Sequence, residues 1–169
     1  MELVSRILDG SIPYGARGEP PGRGFFRGRV SQDDRVDRLE EVSLLAGCSR
    51  KQLRGIARIS EVVEVPAGTV LARRGDPGEE FFVILDGSAR VEVSPRKRAK
   101  LEPGQYFGEM SLLDGGPRSA TVIAETPLRL LVIKRRDFST LLRAAPDLTE
   151  SLLATLSRRL RQAEARPIY

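Results

Sequence analysis

The chain has 169 residues, 40% of them apolar and 30% charged, with a formal net charge of +5; this fits one core-building domain and excludes a wholly disordered chain. It has no His and a single Cys, Cys48, so a zinc site, a disulfide framework, a haem histidine and a Ser–His or Cys–His catalytic couple all lack their residues. No run reaches the roughly 18 to 20 apolar residues of a membrane helix, and Met1-Glu2-Leu3-Val4-Ser5-Arg6 does not open like a secretory signal. A cytoplasmic protein with no membrane segment is the expectation.

Lys51, Lys97, Lys100 and Lys134 are the lysines; the rest of the 28 basic residues are Arg. An arginine fork pairs with two phosphate oxygens at once, so this surplus permits phosphate contact without requiring it.

Residues 10 to 29 hold Gly10, Gly15, Gly18, Gly22, Gly24, Gly28, Pro13, Pro20 and Pro21. That density leaves little apolar periodicity, and residues 1–30 read as a flexible extension rich in Gly, Pro and Arg. Order is expected from Ser31, with the domain over 31–169. Val36, Leu39 and Val42 recur at helical spacing, and Ser49-Arg50-Lys51-Gln52 reads as a capping box ahead of Leu53, Ile56 and Ala57.

From Glu61 the texture changes to short β-branched and aromatic runs: Val62–Val65, Thr69–Ala72, Phe81–Leu85, Ala89–Val93, Ala120–Ala124 and Leu128–Ile133. Pro66-Ala67-Gly68, Gly75-Asp76-Pro77-Gly78, Asp86-Gly87 and Pro103-Gly104 punctuate them. Many short strands with regular turns predict a mainly β fold, an antiparallel jelly-roll-like β-roll with short N-terminal helices. Arg96-Lys97-Arg98 and Lys100 decorate an exposed hairpin. Phe138, Leu141 and Leu142 mark a helix that Pro146 closes. Asp147-Leu148-Thr149-Glu150 reads as a second capping box, opening a C-terminal helix over about 147–165 with Leu152, Leu153, Leu156 and Leu160 on one stripe.

The most informative stretch runs from Phe107 to Val122. Gly108 allows the backbone close to a bound group, and the residues after it can start a helix whose free amides attract an anion. Gly115-Gly116-Pro117 turns the chain so that Arg118 returns to the same place, offering a forked cation. Glu109 is an acid beside an anion site, and a sugar hydroxyl is its natural partner. Amides, one Arg and one Glu together describe the phosphate and ribose of a nucleotide.

Phe107-Gly108-Glu109-Met110-Ser111-Leu112-Leu113 followed by Pro117-Arg118-Ser119-Ala120-Thr121-Val122 resembles the phosphate-binding cassette of the cyclic-nucleotide-binding domain family. The likeness extends upstream through Val65-Pro66-Ala67-Gly68, Gly75-Asp76-Pro77-Gly78 and Ile84-Leu85-Asp86-Gly87-Ser88, and covers roughly residues 36 to 165. The resemblance implies that Glu109 meets the ribose 2′-hydroxyl and Arg118 the cyclic phosphate. Gly108, Met110 and Ser111 fall where cassette backbone contacts the ligand, and Ser119 where a hydroxyl meets phosphate or guanine. The C-terminal helix matches a hinged lid, with Arg159 a candidate cap on the base.

The implied ligand is cyclic AMP, favoured over cyclic GMP, bound as an allosteric effector with no catalytic residue, no metal and no further cofactor. The signal is expected to leave through the lid helix to an effector protein in trans, and a homodimer through that helix is a further expectation. No DNA-binding domain follows the lid, so the chain reads as the input half of a sensor. The alternative is a ligand-independent protein-interaction module in which Glu109 and Arg118 are relics. Cys48 reads as a structural thiol.

Overall fold

Ser31 opens the first helix as a reciprocal cap: its Oγ accepts from the Asp34 amide at 3.1 Å, and Asp34 Oδ2 accepts from the Ser31 amide at 3.1 Å. Helix α1 (Gln32–Glu40) buries Val36 and Leu39, and a 3₁₀ turn follows at Ser43–Leu45. The expected Ser49–Gln52 box opens α2 (Arg50–Ile59), which buries Leu53, Ile56 and Ala57. Arg35 of α1 donates through Nη1 to the carbonyls of Ala57 at 3.2 Å and Ser60 at 3.1 Å, closing the end of α2 with a cation where the helix dipole favours one. The structure, a computed structural model, describes Phe26 and residues 28–165; the extension expected over 1–30 falls mostly outside them.

Eight strands follow: β1 (Glu61–Val65), β2 (Val70–Ala72), β3 (Glu80–Asp86), β4 (Ala89–Ser94), β5 (Lys97–Leu101), β6 (Tyr106–Phe107), β7 (Thr121–Ala124) and β8 (Leu128–Lys134). They form two antiparallel four-stranded sheets, in the orders β1-β8-β3-β6 and β2-β7-β4-β5. The chain is thus a mainly β roll with helices at both ends. Among the described residues, no helix is long and apolar enough to cross a membrane.

The first sheet is covered on both faces, which is why β3 and β8 read as unbroken apolar runs. Phe82, Ile84, Leu128, Leu130 and Val132 face the second sheet and fill the roll. Phe81, Val83, Leu85, Leu131 and Ile133 face the opposite way, into a second core with the helices. The strand β5, which alternation did not announce, carries an exposed charged edge in Lys97, Arg98 and Lys100, as the hairpin reading required.

Arg129 interrupts the apolar run of β8 on its helix-facing side, and it is buried. Its guanidinium contacts Glu64 Oε1 at 3.0 Å and Asp86 Oδ2 at 3.6 Å, donates to the Gly28 carbonyl at 3.0 Å and lies 4.9 Å over the Phe26 ring. Phe26 and the Gly28 carbonyl thus both meet Arg129 of the roll.

After β8, α4 (Arg135–Ala144) buries Phe138 and Leu141 and stops before Pro146. The second capping box is not formed. Pro146 is itself the opening residue of α5 (Pro146–Glu164), Ala145 takes the cap position without a side-chain bond, and Asp147 lies in the first turn. Proline suits a helix start because its missing N–H is one of the donors left over there. Thr149 Oγ1 donates to the Leu142 carbonyl at 2.7 Å and sews the two helices together. Leu148 and Leu152 are buried, while Leu153 and Leu160 are each 60% exposed, so the expected leucine stripe divides between two faces.

Candidate functional site

Strand β6 delivers the chain to the site. Phe107 stacks on Phe82 with centroids 4.6 Å apart, and Gly108 then turns the strand into α3 (Glu109–Asp114) with φ at +96°. A Cβ here would lie 2.7 Å from the Glu80 carbonyl oxygen and 2.8 Å from Arg118 Nη1. Only glycine suits both the left-handed backbone and that approach. Gly115, with φ at +71°, ends α3, and Asp114 Oδ1 accepts from the Gly116 amide at 2.8 Å. Asp114 is thus a turn device, as the Asp-Gly-Gly run implied.

The turn returns Arg118 to the start of α3. Its backbone is locked to the Gly75–Gly78 turn: the Arg118 amide donates to the Asp76 carbonyl at 2.8 Å, and the Gly75 amide to the Arg118 carbonyl at 2.9 Å. The side chain is only 4% exposed. Nη1 donates to the Gly108 carbonyl at 3.1 Å, and Nη2 donates to the Glu80 carbonyl at 2.9 Å and approaches Glu80 Oε2 at 3.5 Å. Gly78 makes room for it, since a Cβ there would fall 2.5 Å from Arg118 Nε and 2.7 Å from Ser111 Cβ. The guanidinium also lies 5.8 Å from the Phe82 centroid.

Glu109, the first residue of α3, is buried as well. Its Oε1 accepts from Nη1 of Arg159, on α5, at 2.5 Å. The Arg159 guanidinium lies 5.7 Å over the Tyr106 ring. Burial pushes the Tyr106 phenol up, and the charge of Arg159 opposes that push. The C-terminal helix is thereby fastened to Glu109 at the head of α3.

The structure gathers half-buried Gly108 and buried Ser111 and Arg118 into one group with Gly78 and Glu80, and places Glu109 beside it under Arg159. Met110 and Ser119 lie outside that group; both are exposed, with Ser119 Oγ 3.7 Å from Met110 Sδ. Sequence reasoning missed Glu80, Gly78, Tyr106 and Arg135. Arg135, first residue of α4, donates through Nη2 to the Ser111 carbonyl at 2.8 Å and reaches the Gly78 carbonyl at 3.4 Å. It ties the small helix of the site to the C-terminal helices. Nothing local marks it, because its partners lie 24 and 57 residues away.

Chemically, the cluster is a guanidinium held by neutral carbonyls and one acid, beside a carboxylate held by a guanidinium. A phosphate brings an opposite charge and can pair with a guanidinium through two parallel bonds, which a carbonyl cannot, so a phosphate is a competent replacement for the Gly108 carbonyl. A carboxylate accepts from a hydroxyl as readily as from an N–H. Among the described residues, no group of His, Cys, Asp and Glu could hold a metal ion.

A family model described as the cyclic nucleotide-binding domain matches residues 62–145. The chain is 38% identical over 138 residues to a cyclic nucleotide-gated potassium channel of Mesorhizobium japonicum, a match covering 78% of this chain and 38% of the channel. It is 38% identical over 104 residues to the cyclic AMP receptor protein of Thermus thermophilus, covering 59% of this chain and 48% of that one. Among solved structures, the catabolite activator protein of Thermus thermophilus matches with a TM-score of 0.67 at 32% identity, over 72% of this chain and 60% of that one. The matched part is thus less than half the length of these two curated relatives.

Proposed function

The chain belongs to the cyclic nucleotide-binding domain family, and from that premise we propose that it binds cyclic AMP, in preference to cyclic GMP, as an allosteric ligand. Arg118 meets the cyclic phosphate, Glu109 the ribose 2′-hydroxyl, and the backbone of Gly108, Met110 and Ser111 completes the cradle. The observation that carries this reading is the return of buried Arg118 to the Gly108 carbonyl at the mouth of α3. Two features 10 residues apart in the chain, a left-handed glycine and an arginine, meet where the phosphate of a nucleotide would need both. The likeness to a cyclic AMP receptor protein supports the choice of base.

The nucleotide acts as a ligand and not as a substrate. The signal leaves by movement of α5, whose outer turns are exposed and offer Leu153 and Leu160 to an effector protein. Such movement requires that the ligand bind one helix position more tightly than another. Calorimetry with cyclic AMP and cyclic GMP is the test. Charged hydrogen bonds contribute about 1.5 to 3 kcal/mol each, so Arg118→Ala should weaken binding by roughly one to two decades. A protein that binds neither nucleotide, and whose melt neither shifts, would instead be a ligand-independent interaction module on this fold.

A further inference from the structure

Residues 78–80, at the entry to β3, lie between two arginines. Arg118 holds the last of them, donating to the Glu80 carbonyl at 2.9 Å and approaching its carboxylate at 3.5 Å. Arg135 holds the other two. Its backbone amide donates to the Glu79 carbonyl at 2.9 Å, its Nε approaches Glu79 Oε2 at 3.5 Å, and its Nη2 reaches the Gly78 carbonyl at 3.4 Å. The same Nη2 donates to the Ser111 carbonyl at 2.8 Å, so one nitrogen bridges α3 and the turn ahead of β3. The two segments approach closely there. A Cβ on Gly78 would lie 2.7 Å from Ser111 Cβ and 2.5 Å from Arg118 Nε.

The Arg118 guanidinium spans the same two segments, with Nη1 on the Gly108 carbonyl at the head of α3 and Nη2 on Glu80. Its aim is therefore fixed by how α3 sits against residues 78–80. Resting on the ligand reading above, we propose that Arg135 is a positioning residue for the phosphate site. It does not touch the nucleotide; it clamps α3 to the 78–80 segment, so that the Arg118 fork and the cassette backbone face one anion together. A planar guanidinium suits this task, because it presents its donors at fixed angles where an ammonium on a flexible stem does not. The Glu79 carboxylate is 63% exposed and adds little to the clamp, which the two carbonyls carry. Charge alone does not single out Arg135, since Arg136 beside it carries the same charge and is exposed.

The test titrates cyclic AMP by calorimetry into the wild-type chain, Arg135→Ala and Arg136→Ala, at a temperature where thermal melts show each protein folded. Arg135→Ala should bind about tenfold more weakly, and Arg136→Ala within about twofold of wild type. In an Arg118→Ala background the Arg135→Ala change should cost less than about threefold, because no fork is left to aim. If Arg118→Ala does not fold, Arg118→Lys serves as the background, since a point charge depends less on its aim than a fork does. Without nucleotide, amides 109–115 should exchange faster in Arg135→Ala than in wild type, and at the wild-type rate in Arg136→Ala. A lowered melt with cyclic AMP affinity within about twofold of wild type would make Arg135 a structural tie and overturn the positioning role. An equal loss of affinity in both backgrounds, or unchanged exchange at 109–115 in Arg135→Ala, would overturn it too. No binding of cyclic AMP by the wild-type chain would overturn the ligand reading itself and the phosphate role with it, a result distinct from a wild type and a variant that bind equally well.

Discussion

Arg118 and Glu80 meet in the wall of the roll with Nη2 and Oε2 3.5 Å apart, although 38 residues of chain separate them. The same Nη2 also takes the Glu80 backbone carbonyl at 2.9 Å. One residue thus positions the guanidinium twice, by its carbonyl and by its carboxylate, before any ligand is involved.

Because both side chains are under a tenth exposed, removing one leaves the other charged and buried. Arg118→Ala should therefore cost about 3 kcal/mol of stability, and Glu80→Gln less, since the amide keeps an acceptor. A double-mutant cycle in urea denaturation should return a coupling of about 1 kcal/mol or more. Additivity within about 0.5 kcal/mol would show that the pair does not act as a unit.

Three glycines should respond differently to alanine. At Gly108 a side chain meets both a left-handed backbone and the Glu80 carbonyl, and at Gly78 it meets the Arg118 guanidinium and Ser111. Both substitutions should destabilise by about 1 to 3 kcal/mol and displace Arg118, so that nucleotide affinity falls with stability. Gly55 lies exposed within α2 with nothing within 4 Å of an added Cβ. There alanine should stabilise by about 0.5 to 1 kcal/mol. Thermal melts of the three single variants check the order.

Cys48 should be a slow thiol. Burial raises its pKa, and the negative charge of Asp147, at the start of α5, raises it further. A raised thiol pKa leaves less thiolate at any given pH, and thiolate is the nucleophile. Alkylation by iodoacetamide at pH 8 should run slower than that of a small free thiol, with the midpoint of its pH–rate curve displaced upward. Asp147→Asn should move the midpoint part of the way back. A wild-type rate equal to that of the free thiol would contradict this.

Features governed by neighbours in sequence were legible before the structure. The Ser49–Gln52 box formed because both its bonds lie within one turn, and β3 and β8 announced themselves because both faces of their sheet are covered. The box at Asp147 failed where two local rules competed and Pro146 took the helix start. Strand β6, at two residues, is too short to display alternation. At the site, Gly108 and Gly115 were legible as turn-makers, but Glu80 and Arg135 were not. An acid at the head of a strand and an arginine at the head of a helix look solvated until the fold delivers partners from distant segments. Arg129 was equally mute, since Glu64, 65 residues earlier, defines its role.

Phe81 and Phe82 are consecutive, so they project from opposite sides of β3. Phe82 backs Arg118 and stacks on Phe107, while Phe81 lies 5.7 Å from Tyr106 and 5.1 Å from Phe138 of α4. The partition between the wall that carries Arg118 and the helical layer is therefore a diaphragm one strand thick. Close-packed interiors transmit strain rather than absorb it. A substitution at Phe81 or Phe82 should therefore be felt on both sides of β3, in the packing of Phe107 and Arg118 as well as of Tyr106 and Phe138.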